Sequence, residues 1–304
     1  MSELIDFNEL KAANVLPSPK DVRLRVMRLC QQENVSLNAL AQQIQADPIV
    51  AGRIIKIANS VNPNKNRPIA SITTDVLILV GIASVRQVVL GISLVAEHRT
   101  GICKNFAYSR FWSRSAAMAC AAQSLGESIR VAPVAEMFTC GLLAGIGSLG
   151  LASARPTAYS DLIVQWSPSQ LREMTQAETS LFGYNHLTLA AAMMADWNIP
   201  RLFIDAVQYH ETPAQFNLEP GSRQWRLTLM LHLAGKIADL FVATDDEKED
   251  ILALIHACAV QLELETERLC NAISIAAADW HDWGTILQIE TRPFTPMAGD
   301  AFAS

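Results

Sequence analysis

The sequence predicts an all-α protein, and three observations support that fold class. Ala and Leu are abundant while aromatic residues make up only 7% of the chain, a composition that favours helices over sheets. Apolar residues recur at helical spacing, as at Leu37, Leu40 and Ile44. The sequence has neither a segment with convincing strand alternation nor a repeat of fixed period. The chain is therefore expected to form packed helices.

Start and stop signals place these helices along the chain. Ser36 is a predicted N-cap, and Asp47-Pro48 opens the next helix because Asp caps and Pro suits the first helical position. Ser71 or Thr73 caps a helix that Gly81 ends. Pro156 and Pro168 open two others. The predicted spans are about 20–32, 37–45, 48–59, 84–98, 108–128, 132–153, 170–182, 186–197, 200–210, 224–242, 247–263 and 266–283, with a leader at 1–14 and a tail from about 291.

Composition excludes several classes of protein. The 304 residues are 50% apolar and 18% charged, with a net charge of −6, which indicates a compact protein and argues mildly against a broad nucleic-acid surface. Six cysteines without a C-x-x-C pair predict reduced core residues, not a zinc site or redox motif. The N-terminus has no signal-peptide apolar core, and we expect no membrane-spanning helix. A cytoplasmic protein is the simplest expectation.

The apolar stretch 137–154 contains a literal dinucleotide fingerprint, Gly145-x-Gly147-x-x-Gly150. That motif needs a preceding strand, a following helix and an acidic residue about 20 residues further on. Here Pro156 interrupts the following helix, and positions 163–167 hold no acid. We therefore interpret the stretch as a buried helix whose glycines let neighbouring backbones come close.

Short motifs follow one another in a fixed order between residues 15 and 212. They are Leu16-Pro17, Leu40-Ala41 with Ile44 and Asp47-Pro48, Ile54 with Ala58-Asn59-Ser60, Ile69 with Ser71-Ile72, Leu79-Val80-Gly81, Phe111-Trp112, Gly141-Leu142-Leu143 with Ile146-Gly147, Glu178, Phe182-Gly183 with His186, Trp197-Asn198-Ile199-Pro200, and His210-Glu211. Together they resemble the HDOD signalling domain, a relative of the HD-type metal phosphohydrolases. The resemblance implies a two-lobed, HD-phosphohydrolase-like helical bundle over 15–215.

The same resemblance implies a domain organisation. An N-terminal lobe covers about 15–105 and an HD-like lobe about 106–215. The C-terminal helical extension, 216–304, is expected to pack on the HD-like lobe or to form a dimer surface, and the sequence does not choose between the two. HDOD proteins are bacterial and regulatory, and are often joined to sensory or cyclic-nucleotide machinery. This chain has no recognisable receiver, kinase or cyclase segment.

The resemblance also implies that a metal site has been lost. Catalytic HD proteins have His-Asp where this chain has Ala144-Gly145, and an adjacent His and Asp supply nitrogen and oxygen ligands to a divalent metal. Arg114 replaces an earlier family His, and Gly235 a later Asp. Ala and Gly have no donor atoms, and a guanidinium does not ligate a metal. We therefore expect no catalytic residue, no metal and no cofactor.

The degenerate site is predicted to be a ligand groove, and each of its side chains also has a structural interpretation. Arg114 could attract an anion or form an ion pair with a local acid such as Glu136. His186 could simply cap or pack at a helix start, and a cationic His210 would suit a helix C-terminus. Glu178 is assigned to a solvated face with Glu173 and Asp161. The predicted groove residues are Arg114, Ala144, Gly145, His186, His210 and Glu211, with His232 and Asp239 as further remnants.

Three functions remain open from the sequence. The first is a non-catalytic signalling module that binds a protein partner or a small anionic or nucleotide ligand in this groove, with homodimerisation unresolved. The second is a metal-dependent phosphohydrolase of phosphomonoesters or cyclic dinucleotides with an aberrant site. The third is a DNA-binding regulator, because residues 36–60 imitate a helix-turn-helix with Arg53 and Lys56 on its second helix. That helix is rich in apolar residues, so we expect it to be buried and nucleic acid not to be the partner.

Overall fold

The protein was analysed as a computed structural model that describes residues 7–13, 15–17, 26, 36–64, 68–165, 171–197, 199–215 and 217–294. All regular secondary structure in these residues is helical, which confirms the predicted fold class. Two compact units result, Ser18–His98 and a larger one of Met1–Pro17 with Arg99–Ser304. The predicted helix 20–32 and the Pro168 start lie outside the described residues, apart from Val26.

The helices are numbered along the chain. They are α1 Phe7–Ala12, α2 Leu37–Gln45, α3 Pro48–Val61, α4 Thr74–Val80, α5 Ile82–Glu97, α6 Tyr108–Ile129, α7 Val134–Leu143, α8 Ile146–Ala154, α9 Pro156–Ile163, α10 Leu171–Phe182, α11 His186–Asp196, α12 Arg201–Tyr209, α13 Arg223–Val242, α14 Lys248–Gln261 and α15 Thr266–Leu287, with single 3₁₀ turns at Pro213–Gln215 and Asp245–Glu247.

In the smaller unit the predicted caps are present. The Ser36 hydroxyl accepts from Ala39 N at 3.3 Å, and Thr73, not Ser71, caps α4 by accepting from Val76 N at 3.3 Å. Gly81 has φ +83° and separates α4 from α5, which cross at 88°. This left-handed backbone favours Gly, so α5 begins directly after it and two residues before the predicted Ser84.

Helix α3, the recognition helix of the helix-turn-helix interpretation, has a buried apolar face. Val50, Ile54 and Ala58 are at most 1% exposed, while Lys56 is exposed and Arg53 is half-buried. Asn59, which follows this face, exchanges two hydrogen bonds with the backbone of Ile69, at 2.8 and 2.7 Å. The helix therefore contributes its apolar side to the core of its own unit, as expected from the sequence.

Helix α6 is the centre of the larger unit and packs against α7, α13 and α15. Most of its residues are buried, and many are Ala or Ser, whose small side chains let three helices approach one axis. The Trp280 indole N–H on α15 donates to Ser113 O at 2.9 Å. Arg99 donates to the carbonyls of Leu287 and Gln288 at 2.9 and 2.7 Å. Through these contacts, residues of the C-terminal extension pack on α6.

The predicted single helix 132–153 is wrong, because the chain forms two helices, α7 and α8, joined at Ala144-Gly145. Tight packing on both sides fixes this stretch. A Cβ on Gly141 would lie 2.5 Å from Met118 O, and one on Gly147 would lie 1.8 Å from His186 O. The glycines therefore do let backbones approach, as predicted. Glu136–Ala154 is apolar enough to cross a membrane, yet 78% of that window is buried inside the protein, as in a core helix.

The predicted leader contains a helix, α1, which the sequence interpretation did not include. Its Leu10 is 5% exposed, and Lys11 forms an ion pair with Asp196 on α11. One buried apolar side chain and one charge pair therefore fasten this short segment to the larger unit. The last ten residues of the predicted tail, 295–304, lie outside the described residues.

Candidate functional site

His186 lies at the start of α11 but does not cap it. The cap is Asn185, whose side chain accepts from Thr188 N at 2.9 Å in a capping box. His186 is buried, and its backbone N–H donates to Glu178 Oε2 at 2.9 Å. Its ring Nδ1 is 2.6 Å from the same oxygen, and its Nε2 is 3.1 Å from Glu211 Oε2. Both ring nitrogens are thus held by carboxylates.

Glu178 therefore does not lie on a solvated face, and that prediction is wrong. Its side chain is 0% exposed, whereas Glu173 and Asp161 on the same stretch are exposed as expected. The carboxylate is buried because His186 offers it two donors, a ring nitrogen and a backbone N–H, eight residues further along the chain. We call Glu178, His186 and Glu211 the buried triad.

The protonation of the buried triad follows from its geometry. Burial alone would lower the pKa of His186, but the carboxylates of Glu211 and Glu178 raise it well above its ordinary value. For Glu211, burial would raise the pKa, but the neighbouring His186 lowers it strongly. The raised pKa favours the imidazolium form of His186, in which both ring nitrogens carry a proton and no lone pair is left to ligate a metal.

His210 follows α12 and is neutral, so the predicted cationic His at a helix C-terminus is wrong. It is 3% exposed, and burial lowers its pKa to about 4. Its Nδ1 is 2.6 Å from Val207 O, and since a carbonyl only accepts, Nδ1 carries the proton. His232 on α13 makes the same kind of bond, with Nδ1 2.7 Å from His210 O, and burial lowers its pKa too.

Arg114 on α6 pairs with Asp239 on α13, not with the predicted Glu136. Its Nε donates to Asp239 Oδ1 at 2.6 Å, and Lys236 Nζ lies 3.8 Å from the other carboxylate oxygen. The side chains of Arg114 and Asp239 are 33% and 30% exposed. A Cβ on Gly235 would lie 3.7 Å from Arg114 Nη2, so the space beside this glycine is occupied by the guanidinium. We call Arg114, Lys236 and Asp239 the arginine cluster.

A cavity of about 400 Å³ lies beside these groups in the larger unit. Of the six predicted groove residues, Arg114, His210 and Glu211 line it, while His186 reaches it only through Glu211. Ala144 and Gly145 are outside the described lining; Ala144 is 1% exposed, and a Cβ on Gly145 would lie 3.1 Å from the Phe111 ring. The remnants His232 and Asp239 line the cavity, as does Gly235, the position of the lost family Asp. Sequence reasoning missed the other lining residues: Arg110, Lys236, Ala243, Asp246, Glu247, Asp250, Ile251 and Leu254.

The cavity carries charged side chains of both signs and is not cationic. Its lining contains five carboxylates and three cationic side chains, together with two histidines whose pKa is lowered. Two of the cations, Arg114 and Lys236, are directed at one carboxylate, Asp239. The carboxylates of the lining therefore largely neutralise the positive charge of Arg114, on which the expected attraction of an anion depends. Asp246, Glu247 and Asp250 could have been suggested only by the acidic run before α14.

The donor set does not fit the divalent metal of catalytic HD proteins. Across the part of the chain that the structure describes, no group of three or more His, Cys, Asp or Glu side chains is arranged so that it could hold a metal ion. His186 has both ring nitrogens on carboxylates, and His210 and His232 each have one on a backbone carbonyl. The described residues around the cavity therefore do not present the three protein ligands that a catalytic metal centre uses.

Comparison with protein-family models matches the HDOD domain over residues 16–213, about two thirds of the chain. The chain belongs to the HDOD family. The resemblance to the HDOD domain identified from the sequence is thus confirmed. A search of the curated proteins finds no match.

Among solved structures, the MmoQ response regulator from Methylococcus capsulatus str. Bath is 34% identical to this HDOD protein. The match covers 83% of the present chain and 95% of MmoQ, with a TM-score of 0.52. An HDOD domain protein of unknown function from Geobacter sulfurreducens is 19% identical over 90% of this chain and 91% of that one, with a TM-score of 0.61. A protein from Shewanella amazonensis SB2B, provisionally assigned as a phosphohydrolase, is 19% identical over 91% and 97% of the two chains, with a TM-score of 0.69. The last two show the shared fold.

Proposed function

We propose that this HDOD protein is a non-catalytic regulatory module of the cytoplasm that acts by binding a signalling protein at the cavity lined by Arg114, His210 and Glu211. It uses no metal and no cofactor. The observation that carries the proposal is the state of the remaining ligand-type side chains. His186 is held between Glu178 and Glu211, while Ala144 and Gly145 have no donor atoms.

The charges of the cavity favour a protein partner over a small anionic or nucleotide ligand. Arg114, the side chain best suited to bind an anion, has its Nε on Asp239 at 2.6 Å. An entering phosphate would also meet five carboxylates and three cations in the lining. Like-charge repulsion from these carboxylates opposes the binding of a phosphate in the cavity. A protein surface can present charges of both signs to a mixed wall.

Similarity supports the same class of function. MmoQ, which is 34% identical, is described as a response regulator, and regulation is the function that this chain shares with it in our proposal. The helix-turn-helix alternative is less well supported, since α3 has Val50, Ile54 and Ala58 in the core of its unit. Base readout needs several polar side chains on an exposed helix face.

Metal analysis and hydrolysis assays of the purified full-length chain test the proposal. We expect no stoichiometric divalent ion after purification in the presence of manganese, and no hydrolysis of a generic phosphodiester or of a cyclic dinucleotide. The His210→Ala variant is the control for contaminating activity. Metal-dependent hydrolysis that is present in the parent chain and lost in His210→Ala would establish the phosphohydrolase alternative and overturn the proposal.

Co-purification tests the binding half of the proposal. The tagged full-length chain, retrieved from extract of its native cells, is expected to retain a defined signalling protein in a fixed ratio. The Asp239→Arg variant places a third cation beside Arg114 and Lys236, and we expect it to lose that protein. Retention of the same partner at the same ratio by Asp239→Arg would place the binding surface elsewhere.

A further inference from the structure

Helix α14 exposes an apolar stripe. One side of the helix, with Ile255, Cys258 and Ala259, is buried, and α14 packs against α13. The opposite side leaves four apolar residues exposed at helical spacing: Ala253, Leu254, Ala257 and Val260. Leu254 is 48% exposed and Val260 is 64% exposed. A surface helix normally has polar residues on its outer face, so a continuous apolar stripe there indicates an interaction surface.

The stripe is continuous with the cavity. Leu254 belongs to both, and Asp250 and Ile251, one turn earlier on α14, also line the cavity. A segment that lies along the outer face of α14 would therefore have its end beside the cavity mouth. The apolar stripe and the cavity with its charged side chains form one elongated surface.

Acidic residues flank this surface at both ends. Asp246, Glu249 and Asp250 are exposed at the start of α14, and Glu263, Glu265 and Glu267 are exposed just after its end. Lys248 and Arg268 each pair with an acid of their own segment, Asp245 and Glu265. Arg226 lies near Glu263 and Glu265 at one end, and Arg110, Arg114 and Lys236 line the cavity at the other, so the acids outnumber the cations at both ends only when Asp245, Glu247 and the carboxylates of the cavity are included. The occupant complementary to this surface is apolar in its middle and cationic at its ends.

A second copy of the chain does not meet that requirement. A two-fold pairing of α14 with its own copy would bring the acidic ends of the two surfaces next to each other, because the same patch is used on both sides. Like charges placed opposite one another disfavour such a pairing. Charge complementarity thus selects a different protein.

We infer that the outer face of α14 binds an amphipathic helix of the partner protein, with a Lys or Arg at the end of that helix directed into the cavity. This inference rests on the proposed function and specifies the partner's chemistry. Ala253 and Ala257 are one turn apart and small, so the backbone of the partner helix lies close to α14. The apolar residues of that helix contact Leu254 and Val260, as in other helix-in-groove interfaces.

Photocrosslinking in the native cells identifies the segment that lies on α14. A photoreactive amino acid replaces Ala257 in the full-length chain, and a matched chain has it at Ile102, which is 77% exposed and lies outside the stripe. We expect at least about tenfold more crosslinked product from position 257 and, by mass spectrometry, a partner peptide with helical apolar spacing and excess Lys or Arg. Equal yields, a peptide of the chain itself, or an acidic peptide would overturn the inference.

Charge substitutions separate this inference from the proposed function. Leu254→Glu and Val260→Glu add carboxylates to an exposed surface and leave the core unchanged, with Ile102→Glu as the control. We expect the two stripe variants to retain at least about tenfold less partner than the control when circular dichroism and melting are unchanged. If both stripe variants fully retain a partner that Asp239→Arg loses, binding at the α14 surface is excluded while the proposed function stands.

Discussion

The buried triad and the arginine cluster are both charge groups of the larger unit, but they differ in their access to water. In the triad the side chains of Glu178, His186 and Glu211 are 0%, 7% and 16% exposed. In the cluster, Arg114 and Asp239 are 33% and 30% exposed. Water and salt screen charges of the cluster, whereas the triad must satisfy its charges internally. The triad is therefore an element of the fold, and the cluster can exchange partners.

This difference shows two ways in which ionisable residues are held at this HD-like site. His186 and Glu211 remain because each satisfies the other inside the protein, with Nε2 and Oε2 3.1 Å apart. Arg114 remains in contact with solvent at the cavity, where, in the proposed function, a second protein replaces its partner Asp239. Glu178 and His186 lie outside the cavity lining, whereas Glu211 and the arginine cluster line the cavity.

Removing the cation of the triad should have the largest effect on stability. His186→Ala leaves the carboxylates of Glu178 and Glu211 buried without their shared partner, and breaking a buried ion pair in this way costs about 3–5 kcal/mol. The free energy of unfolding, measured by urea denaturation, checks this value. Arg201→Ala, which removes an exposed pair with Asp205, is the control and should cost less than about 1 kcal/mol. Equal losses for the two variants would mean that the triad is not structural.

The pH dependence of stability should distinguish the charged histidine of the triad from the neutral one of the cavity. His210 has a pKa lowered from 6.5 to about 4, so its contribution is complete above 6.5 and is lost as pH falls towards 4. That difference corresponds to about 3 kcal/mol, at roughly 1.4 kcal/mol per pKa unit. His186 has a raised pKa, so its contribution is complete below 6.5 and is lost as pH rises through its folded pKa.

Stability should therefore be greatest near pH 6.5 and decline on both sides. Unfolding measured across pH 4–9 in the parent chain gives the curve. His210→Asn retains a donor for Val207 O and should flatten the acid side, while His186→Gln should flatten the alkaline side. A curve whose acid side is unchanged in His210→Asn would contradict the neutral state of His210.

Close packing around the triad gives the next smaller effect. The helix α8 backbone at Gly147 leaves no room for a methyl group, because a Cβ there would lie 1.8 Å from His186 O. Gly147→Ala should therefore destabilise by about 1–3 kcal/mol through displacement of α11. Gly52→Ala on α3 is the matched control, since a Cβ there meets nothing within 4 Å and Ala is the better helix former. A thermal melt that shows equal changes for the two variants would exclude a tight contact at Gly147.

Much of the fold follows from local sequence signals. The side chains of Ser36, Thr73 and Asn185 each accept from the backbone N–H group three residues ahead, so a cap can be identified from the residues next to it. The helix interruption at Ala144-Gly145 has no such local signal, since the whole stretch is apolar. It depends on the contacts of Gly141 with α6 and Gly147 with α11, which are made by distant residues.

For the candidate site, too, the sequence predicts only what does not depend on contacts with distant residues. The family motifs indicated Arg114, His186, His210 and Glu211 as residues of one site, because motif order carries long-range information. Their partners could not be predicted from spacing: Arg114 and Asp239 are 125 residues apart. Glu178 has the sequence context of a solvated helix face, and only the donors of His186 explain why it is buried. A charge can be assigned to a surface or a core only when its partner is known.

The arginine cluster should give the smallest effect on folding. Arg114→Ala removes the 2.6 Å bond to Asp239, yet partly exposed ion pairs contribute at most about 1 kcal/mol, and Lys236 still lies 3.8 Å from the same carboxylate. The loss should shrink further in 1 M salt, where the Debye length is about 3 Å, whereas that of His186→Ala should persist. Denaturation of both variants at low and high salt measures this contrast. Arg114→Ala could instead lower the free energy of unfolding as much as His186→Ala does, and equally at low and high salt. The arginine cluster would then be a second structural element, and its ion pair would not be one that a partner can displace.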